Sequence, residues 1–464
     1  MSGLFSTLNS TTMALGAHSR AIETSGRNLA NVNNPSYARQ RVVYGDRGTV
    51  ETPQGVQSFG LEALSISQLR DVLLDRQLMR EIGLGGSLDA EQQALQRAQA
   101  GLGQSVSATG EATGGLAASL DNFFNAFQSL ASRPTDMGTR ETLLQQARIL
   151  TDTLRETDTR LAQVQTDLGA AVTADVSEVN RLITTIAELN EQIGRFEVNR
   201  PGVAIDLRDQ RQARLEELAA ILPVNVTDLA DGTVRLAVKD AGNTDIVLLD
   251  GQTINGTVAF TGTGLTGGTS ATAIALTSGS INGALSARDG AIQTLRDNLD
   301  VFAEQLVTSV NAAYNPTNTA GADFFDPAGL TAATIEVRAG LTGAGLVTGS
   351  SGAAGDNTIA IAVANLATKP FSTGAGDLID GTLGQFYSRA VSDLAQSLST
   401  ATARASDQDK IQQLVRNQRD SVSGVSLDEE MADLVRFQRA FQASSRVFSI
   451  VDDLLDTVVN QLGR

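Results

Sequence analysis

Few side chains in this chain have the types and spacing that chemistry requires. Gly262-Thr-Gly-Leu-Thr-Gly267 has the G-x-G-x-x-G spacing of a dinucleotide-binding turn. Such a turn works only if its third glycine opens a helix whose N-terminus holds the phosphate. Here Gly268-Thr-Ser-Ala-Thr follows, without helical periodicity, so a Gly/Thr loop in a β domain is the expected structure. Asp452, Asp453 and Asp456 could offer carboxylates to a cation, but no D-x-[DN]-x-[DN]-G loop is present, and a solvated acidic helix face accounts for them. His18 is the one histidine. It lies on an apolar helical stripe, so a Ser-His-Asp triad would have to be built on that stripe, and a packed or fraying helical histidine is expected instead. Asp231-Gly232 reads as a hairpin turn. With no cysteine, there is no disulfide, thiolate metal site or cysteine nucleophile. Catalytic, cofactor-binding and metal-binding residues are therefore all expected to be none, and the chain is not expected to be an enzyme.

The residues that do show a pattern are apolar, and they lie at the two ends. Leu427, Leu434, Phe441, Phe448, Leu455 and Leu462 recur every seven residues, with Phe437, Val451 and Val458 in a companion row interrupted by Glu430 and Ser444. Spacings of three and four put both rows on one stripe of a helix. Ser426 with Glu429 forms an S-x-x-E capping box, and Asp428, Glu430 and Asp433 add charge suited to the helix N-terminus. At the other end Leu8, Leu15, Ile22 and Leu29 recur in the same way beside Leu4, Thr11, His18 and Ser25. The two stripes are expected to pair, which makes the chain an elongated hairpin whose ends meet in a coiled coil. Any apolar stripe left over marks an assembly surface. Arg39, Arg41 and Arg47 follow the first helix and are expected to be solvated, with an acidic neighbouring subunit as the other possible contact.

A length of 464 residues calls for two to four domains. A net charge of −17, from 52 acidic and 35 basic residues, opposes binding to nucleic acid or anionic membranes. No run of 18 apolar residues exists, and no signal peptide is expected, which leaves export in an unfolded form open. Along the chain, helix 3–32 stops at Asn31-Val-Asn-Asn-Pro35, and an extended stretch runs to about Ser67. Helices follow near Arg70, over Leu116–Ala131, over residues 139–196 and over Ile205–Leu222. In the longest of these the stripe slips by one residue after Gly169, a slip that predicts a kink or two abutting helices. Asn190 falls in its second row, and exposure near the helix end is expected over a register-setting role. Period-two alternation then takes over in Val224–Ser280, and helix returns at Gly283–Ala313 and 381–420.

The predicted fold is mostly α with an all-β insert that projects outward. Residues 1–35 and 426–464 form a terminal coiled-coil assembly domain, and 36–222 with 283–425 form a helical rod domain. Residues 224–280 are the β-rich outer insert, and 331–380 are a Gly/Thr-rich segment of unclear packing.

Read together, the end segments resemble the flagellar axial-protein family. Asn28-Leu-Ala-Asn-Val-Asn-Asn-Pro-Ser-Tyr-Ala-Arg-Gln40 is similar to the N-terminal signature of rod, hook and hook-associated proteins, with Ser36 where a glycine is usual. Ser423-Gly-Val-Ser-Leu-Asp-Glu-Glu-Met431 and Phe437-Gln-Arg-Ala-Phe-Gln-Ala443 resemble the hook-associated protein 1 (FlgK) family. So do Asp206-Leu-Arg-Asp-Gln-Arg211, Gly283–Asn311 and Gly321-Ala-Asp-Phe-Phe325. The resemblance implies an extracellular structural subunit joining hook to filament, exported unfolded by the flagellar type III apparatus. It implies as partners other copies of the chain in a helical tube, hook protein, hook-associated protein 3, and an export chaperone on the C-terminal helix. The alternatives are another axial subunit (hook-associated protein 3 or a flagellin) or a nucleotide-binding enzyme using Gly262–Gly267. The expected assembly interface is Leu4, Leu8, Leu15, Ile22, Leu29, Leu427, Leu434, Phe437, Phe441, Phe448, Val451, Leu455, Val458 and Leu462.

Overall fold

The computed structural model describes residues 2–46, 48–52, 55–58, 60–102, 105–106, 112–113, 115–353 and 355–458. Arg47 and Leu462 lie outside them. Helix α1 (Ser2–Ala30) is followed by strands β1 (Gln40–Asp46), β2 (Thr49–Thr52), β3 (Gly55–Ser58) and β4 (Leu61–Gln68). Helix α2 (Val72–Gly101), the short strands β5 (Ser105–Val106) and β6 (Ala112–Thr113), and helices α3 (Gly115–Ser132), α4 (Met137–Glu197) and α5 (Ile205–Ile221) come next. Seven strands then build the insert: β7 (Asn225–Asp228), β8 (Val234–Lys239), β9 (Asp245–Asp250), β10 (Thr253–Ile254), β11 (Ala259–Phe260), β12 (Leu265–Gly267) and β13 (Thr272–Ala273). The chain returns through α6 (Ser280–Ala287), a π-helical turn at Arg288–Ile292, α7 (Gln293–Tyr314), α8 (Thr358–Ala364), α9 (Leu383–Ser423) and α10 (Leu427–Asp456).

Helix α4 is the longest element, 61 residues without a break, or about 90 Å at 1.5 Å per residue. The slip after Gly169 does not divide it into two abutting helices, which corrects that part of the sequence expectation. From Leu143 to Val172 is 29 residues, about eight turns at 3.6 residues per turn, so the skipped residue returns the apolar row to the same side. A strict heptad would have wound off that side by roughly 20° per repeat. Leu143, Leu150, Leu161, Val172, Val179, Ile186 and Ile193 are all buried along one continuous core.

Helices α2, α3, α5, α6 and α7 pack against α4, α2 also touches α5, α6 and α9, and α9 also touches α7. Close approach is bought with small residues. A Cβ on Gly283 of α6 would overlap the Ser87 carbonyl of α2, and one on Gly86 would overlap the Ala220 carbonyl of α5. Phe123, Phe127, Tyr314, Phe324 and Phe325 form an aromatic cluster with ring centroids 5.0–5.9 Å apart. Asn311 fixes its loop by accepting from the Phe324 and Phe325 amides at 3.1 and 2.9 Å.

The 331–380 segment has a definite place. Ile335, Leu341, Leu346, Ile359, Val363, Phe371 and Ile379 are buried in the bundle core, and α8 packs against α3 and α7. Arg140 donates to the Gly343 and Leu346 carbonyls at 3.0 and 2.9 Å, and Asn357 donates to the Ala131 carbonyl at 2.6 Å. Apolar residues here are sparse and aperiodic because this coil is pinned residue by residue onto helices already formed.

In the insert, β10-β9-β8-β7 form one antiparallel sheet and β11-β12-β13 a second. The inward residues of β8 and β9 join the core of the helices, so the insert is packed on the C-terminal half of α4. This packing qualifies the expectation of an insert that merely projects. Asn190, expected at the surface, is fully buried at this seam. Its Nδ2 donates to the Val234 and Gly251 carbonyls at 3.0 and 2.6 Å, and its Oδ1 accepts from Arg211 Nη1 at 2.9 Å and from the Val234 amide at 3.3 Å. Gly262 and Gly264 lie in the β11–β12 hairpin, closed by a Thr261 amide to Gly264 carbonyl bond of 2.9 Å, and a second hairpin follows with no helix.

Candidate assembly interface

Helices α1 and α10 pack side by side and antiparallel, since α1 ends where α10 begins. The β1–β4 hairpin lies on α1. Arg20 Nη1 donates to the Ala63 carbonyl at 2.9 Å. Gly60, with φ +92°, lets the chain pass Ser10 where a Cβ would come within 3.0 Å. Ala17, Ala21, Val42 and Ala63, with Tyr44 and Phe437 against them, form a small core separate from that of the bundle.

The inward face of α1 is not its leucine row. Thr11, Ala17, Ala21, Thr24, Ser25 and Asn28 are buried, while Leu4, Leu8, Leu15, Ile22 and Leu29 are half-buried about 100° round the helix. Small side chains let the hairpin and α10 approach closely, leaving the leucines at the rim. On α10, Val451 and Leu455 are buried, Leu434, Phe437, Phe448 and Val458 half-buried, and Leu427 and Phe441 exposed. Met431, Val435, Val447, Ile450 and Leu454 are exposed as well, apolar positions that a strict heptad count leaves out. A cleft of ≈ 520 Å³ remains between α1, β1 and α10. The self-pairing thus covers part of each stripe and leaves a run of large apolar side chains open.

A polar joint ties this terminal pair to the rod, and it is built from the Asn28–Gln40 signature. Asn28 acts as a backbone mimic. Its Nδ2 donates to the Gln40 carbonyl at 2.9 Å, and its Oδ1 accepts from the Gln40 amide at 3.0 Å and Tyr37 Oη at 2.8 Å. Pro35 and Ser36 offer carbonyls to Arg419 Nη2 (2.9 Å) and Arg70 Nη2 (3.2 Å). Arg39, expected in solvent, instead bonds Glu429 at 2.6 Å and the buried Glu430 at 2.7 Å, with Asp433 at 3.8 Å. Consequently the predicted Ser426 capping box does not form. Ser426 is the N-cap, but its side chain makes no cap bond, and the Glu429 carboxylate that would complete the box is held by Arg39. The capping box that does form, Thr382 with Gln385 on α9, was not read from the sequence. Arg41 is exposed, and His18 is half-buried, its pKa lowered by burial. Asp452 and Asp453 lie on the exposed face of α10.

Under this joint Asp75, Asp209 and Glu216 share Arg70 and Arg419. Burial raises all three carboxyls, that of Asp209 to about 6 against the pull of Arg70, Gln68 and the Ala38 amide. Among the described residues, the buried side-chain atoms lacking a hydrogen-bond partner are His18 Nδ1, Gln40 Oε1, Tyr44 Oη, Arg70 Nε, Asp209 Oδ2 and Ser423 Oγ. All of them lie in the terminal unit or its joint.

A carboxyl whose folded pKa exceeds its ordinary value near 4 binds its proton more tightly in the folded chain. Its contribution to stability accordingly grows as pH falls from about 7 toward 4 and is lost as pH rises through about 6. Urea unfolding of the wild type is expected to gain roughly 2 kcal/mol over that window relative to Asp209→Asn. Parallel pH profiles of the two chains would show that the raised carboxyl is not Asp209.

Residues 102–325 match the flagellar hook-associated protein FlgK helical domain, and residues 416–462 match the flagellar basal body rod FlgEFG protein C-terminal domain. Flagellar hook-associated protein 1 of Bacillus subtilis (strain 168) is 26% identical over 515 residues, spanning 100% of this chain and 99% of that protein. The protein of the same name from Escherichia coli (strain K12) is 24% identical over 250 residues, 54% of this chain and 43% of its own length. The solved structure of the flagellar hook junction protein FlgK from Burkholderia pseudomallei overlaps 54% of this chain and 46% of its own at 20% identity, with a TM-score of 0.46. The match over residues 102–325, together with the full-length match to the Bacillus protein, makes this chain similar to the flagellar hook-associated protein 1 family.

Proposed function

We propose that this chain is a structural subunit of the bacterial flagellum at the junction of hook and filament, and that it works through surfaces and not a pocket. The observation that carries this reading is the half-covered pair of terminal helices. Leu427, Met431, Phe441, Val447, Ile450 and Leu454 stay exposed on α10 after α1 has packed against it. Leu427, Met431 and Phe441 share one flank of the helix and Val447, Ile450 and Leu454 another, and large apolar side chains left open in this way are a binding surface in waiting. Other copies of the chain cover them in a helical tube, with hook protein on one side and hook-associated protein 3 on the other. Before assembly the same helix suits an export chaperone that takes it in a groove, and the chain leaves the cell unfolded to reach the extracellular flagellum.

The terminal 35–40 residues at each end are loosely held in the free subunit and order on assembly, because an isolated helix pair has too little packed surface. Amide exchange is expected to be fast over Leu434–Leu455 in the monomer and at least a hundredfold slower in flagella. Strong protection of that stretch in a verified monomer would rule this out.

A further inference from the structure

We infer that the cavity between α2, α5 and the first strands of the insert is a site for one small tetrahedral oxyanion, phosphate or sulfate, held by arginines. The inference goes beyond the axial-subunit reading and does not depend on it. The cavity, of ≈ 100 Å³, is walled by Arg70 and Arg76 at the start of α2, by Arg208 and Arg211 of α5, and by Asp75 and Asp228. A water takes about 30 Å³, so the space suits an anion of a few heavy atoms and excludes a nucleotide.

Arg211 carries the argument. It is 5% exposed, and a guanidinium buried this far is normally paired with a carboxylate. Among the described residues, the other deeply buried arginines obey that rule: Arg288 pairs with Asp289, and Arg419 with Glu216 and Asp420. Arg211 pairs with none of them. Its Nη1 donates to Asn190 Oδ1 and the Gly232 carbonyl, both at 2.9 Å, and its Nε and Nη2 have no partner among the described residues. Burial, and then the charges of Arg208 and Arg70, outweigh Asp228 and Glu197 and pull its pKa down to about 10. A further donor on the same wall, Arg70 Nε, is buried without a partner. The nearby carboxylates are engaged elsewhere: Asp75 and Asp209 by Arg70, Asp228 by Arg76, and Glu197 by Arg208. An oxyanion supplies the charge that Arg211 lacks, with the several acceptors that guanidinium forks bind in pairs. Bridging α2, α5 and β7, it locks the insert against the helices. A chain of net charge −17 repels anions over its surface in general, so holding one requires a built site.

The test uses the full chain with inorganic phosphate and with sulfate, against sodium chloride at matched ionic strength. Isothermal titration is expected to show one saturable site with a Kd below about 1 mM, and thermal unfolding to shift upward with the oxyanion but not with chloride. Binding of one oxyanion and not the other keeps the site and names its ligand. Arg76 is 43% exposed at the rim, so Arg76→Gln leaves the core intact and is expected to weaken binding at least tenfold. Arg211→Lys, which keeps the charge but loses the fork, is expected to weaken it by a similar factor. Asp228→Asn works the other way: it frees Arg76, removes a repelling charge, and is expected to tighten binding at least threefold. A merely structural role for these residues would not produce that gain. No saturable binding of either oxyanion would overturn the site while leaving the axial reading intact. Wild-type affinity in Arg76→Gln, or weaker binding in Asp228→Asn, would put any bound anion elsewhere and overturn it as well.

Discussion

A chain that stops at Ser426 is expected to fold, remain monomeric and never enter a flagellum. The buried core of the bundle draws on residues from Met79 to Ala401 and takes nothing from α10. Truncation therefore removes the small core's Phe437, the acidic partners of Arg39, and the covering of α1. What is lost is a half-packed helix, and denaturant stability of the bundle should stay within about 1 kcal/mol of the full chain. The effect on assembly is of another order, a complete loss, because the exposed apolar side chains of α10 go with the helix. Circular dichroism, urea titration and recovery of the chain in detached flagella make the comparison. Chaperone capture should vanish as well. Incorporation of the shortened chain at near wild-type level would show that the assembly surface lies elsewhere.

The largest effect on stability is expected from Asn190→Ala. That side chain satisfies two carbonyls and one amide of the insert and the Arg211 guanidinium, all at one dry seam. Burial has already pulled the Arg211 pKa down to about 10, so it has little to lose before becoming an uncompensated buried charge. Removing the amide leaves several groups without partners, and a loss of about 3–4 kcal/mol follows. The insert should feel it first. Amide exchange in residues 224–280 should accelerate well before the aromatic cluster loosens, and limited proteolysis should open the same region. A change below about 1 kcal/mol would mean that the seam does not depend on Asn190.

How much of this was legible in the sequence follows from how far each feature reaches along the chain. Helices and strands came through because periodicity is local: the seven-residue rows gave α1, α4, α7 and α10, and alternation gave β8 and β9. Arg39 and the Glu429–Glu430 pair were visible separately, but nothing local reveals that residues nearly four hundred positions apart meet. The acidic turn was accordingly read as a cap. Asn190 was misplaced for a related reason, since a polar residue near a helix end is normally wet until another segment folds over it. The inward face of α1 was hidden by its own leucines. Alanine, threonine and serine carry no hydrophobic signal strong enough to outrank them, though they fill the closest contacts. The 331–380 segment was opaque because its buried residues follow the bumps of its neighbours and no period of their own.

The bundle hangs from the terminal pair by strands that all cross at one place, near Pro35, Arg70 and Arg419. In topological terms everything between those crossings is a single excursion out of the terminal pair and back again. If the terminal helices are the assembly surface proposed above, lengthening, trimming or exchanging that excursion leaves their contacts untouched, and what lies beyond the joint is free to vary in size.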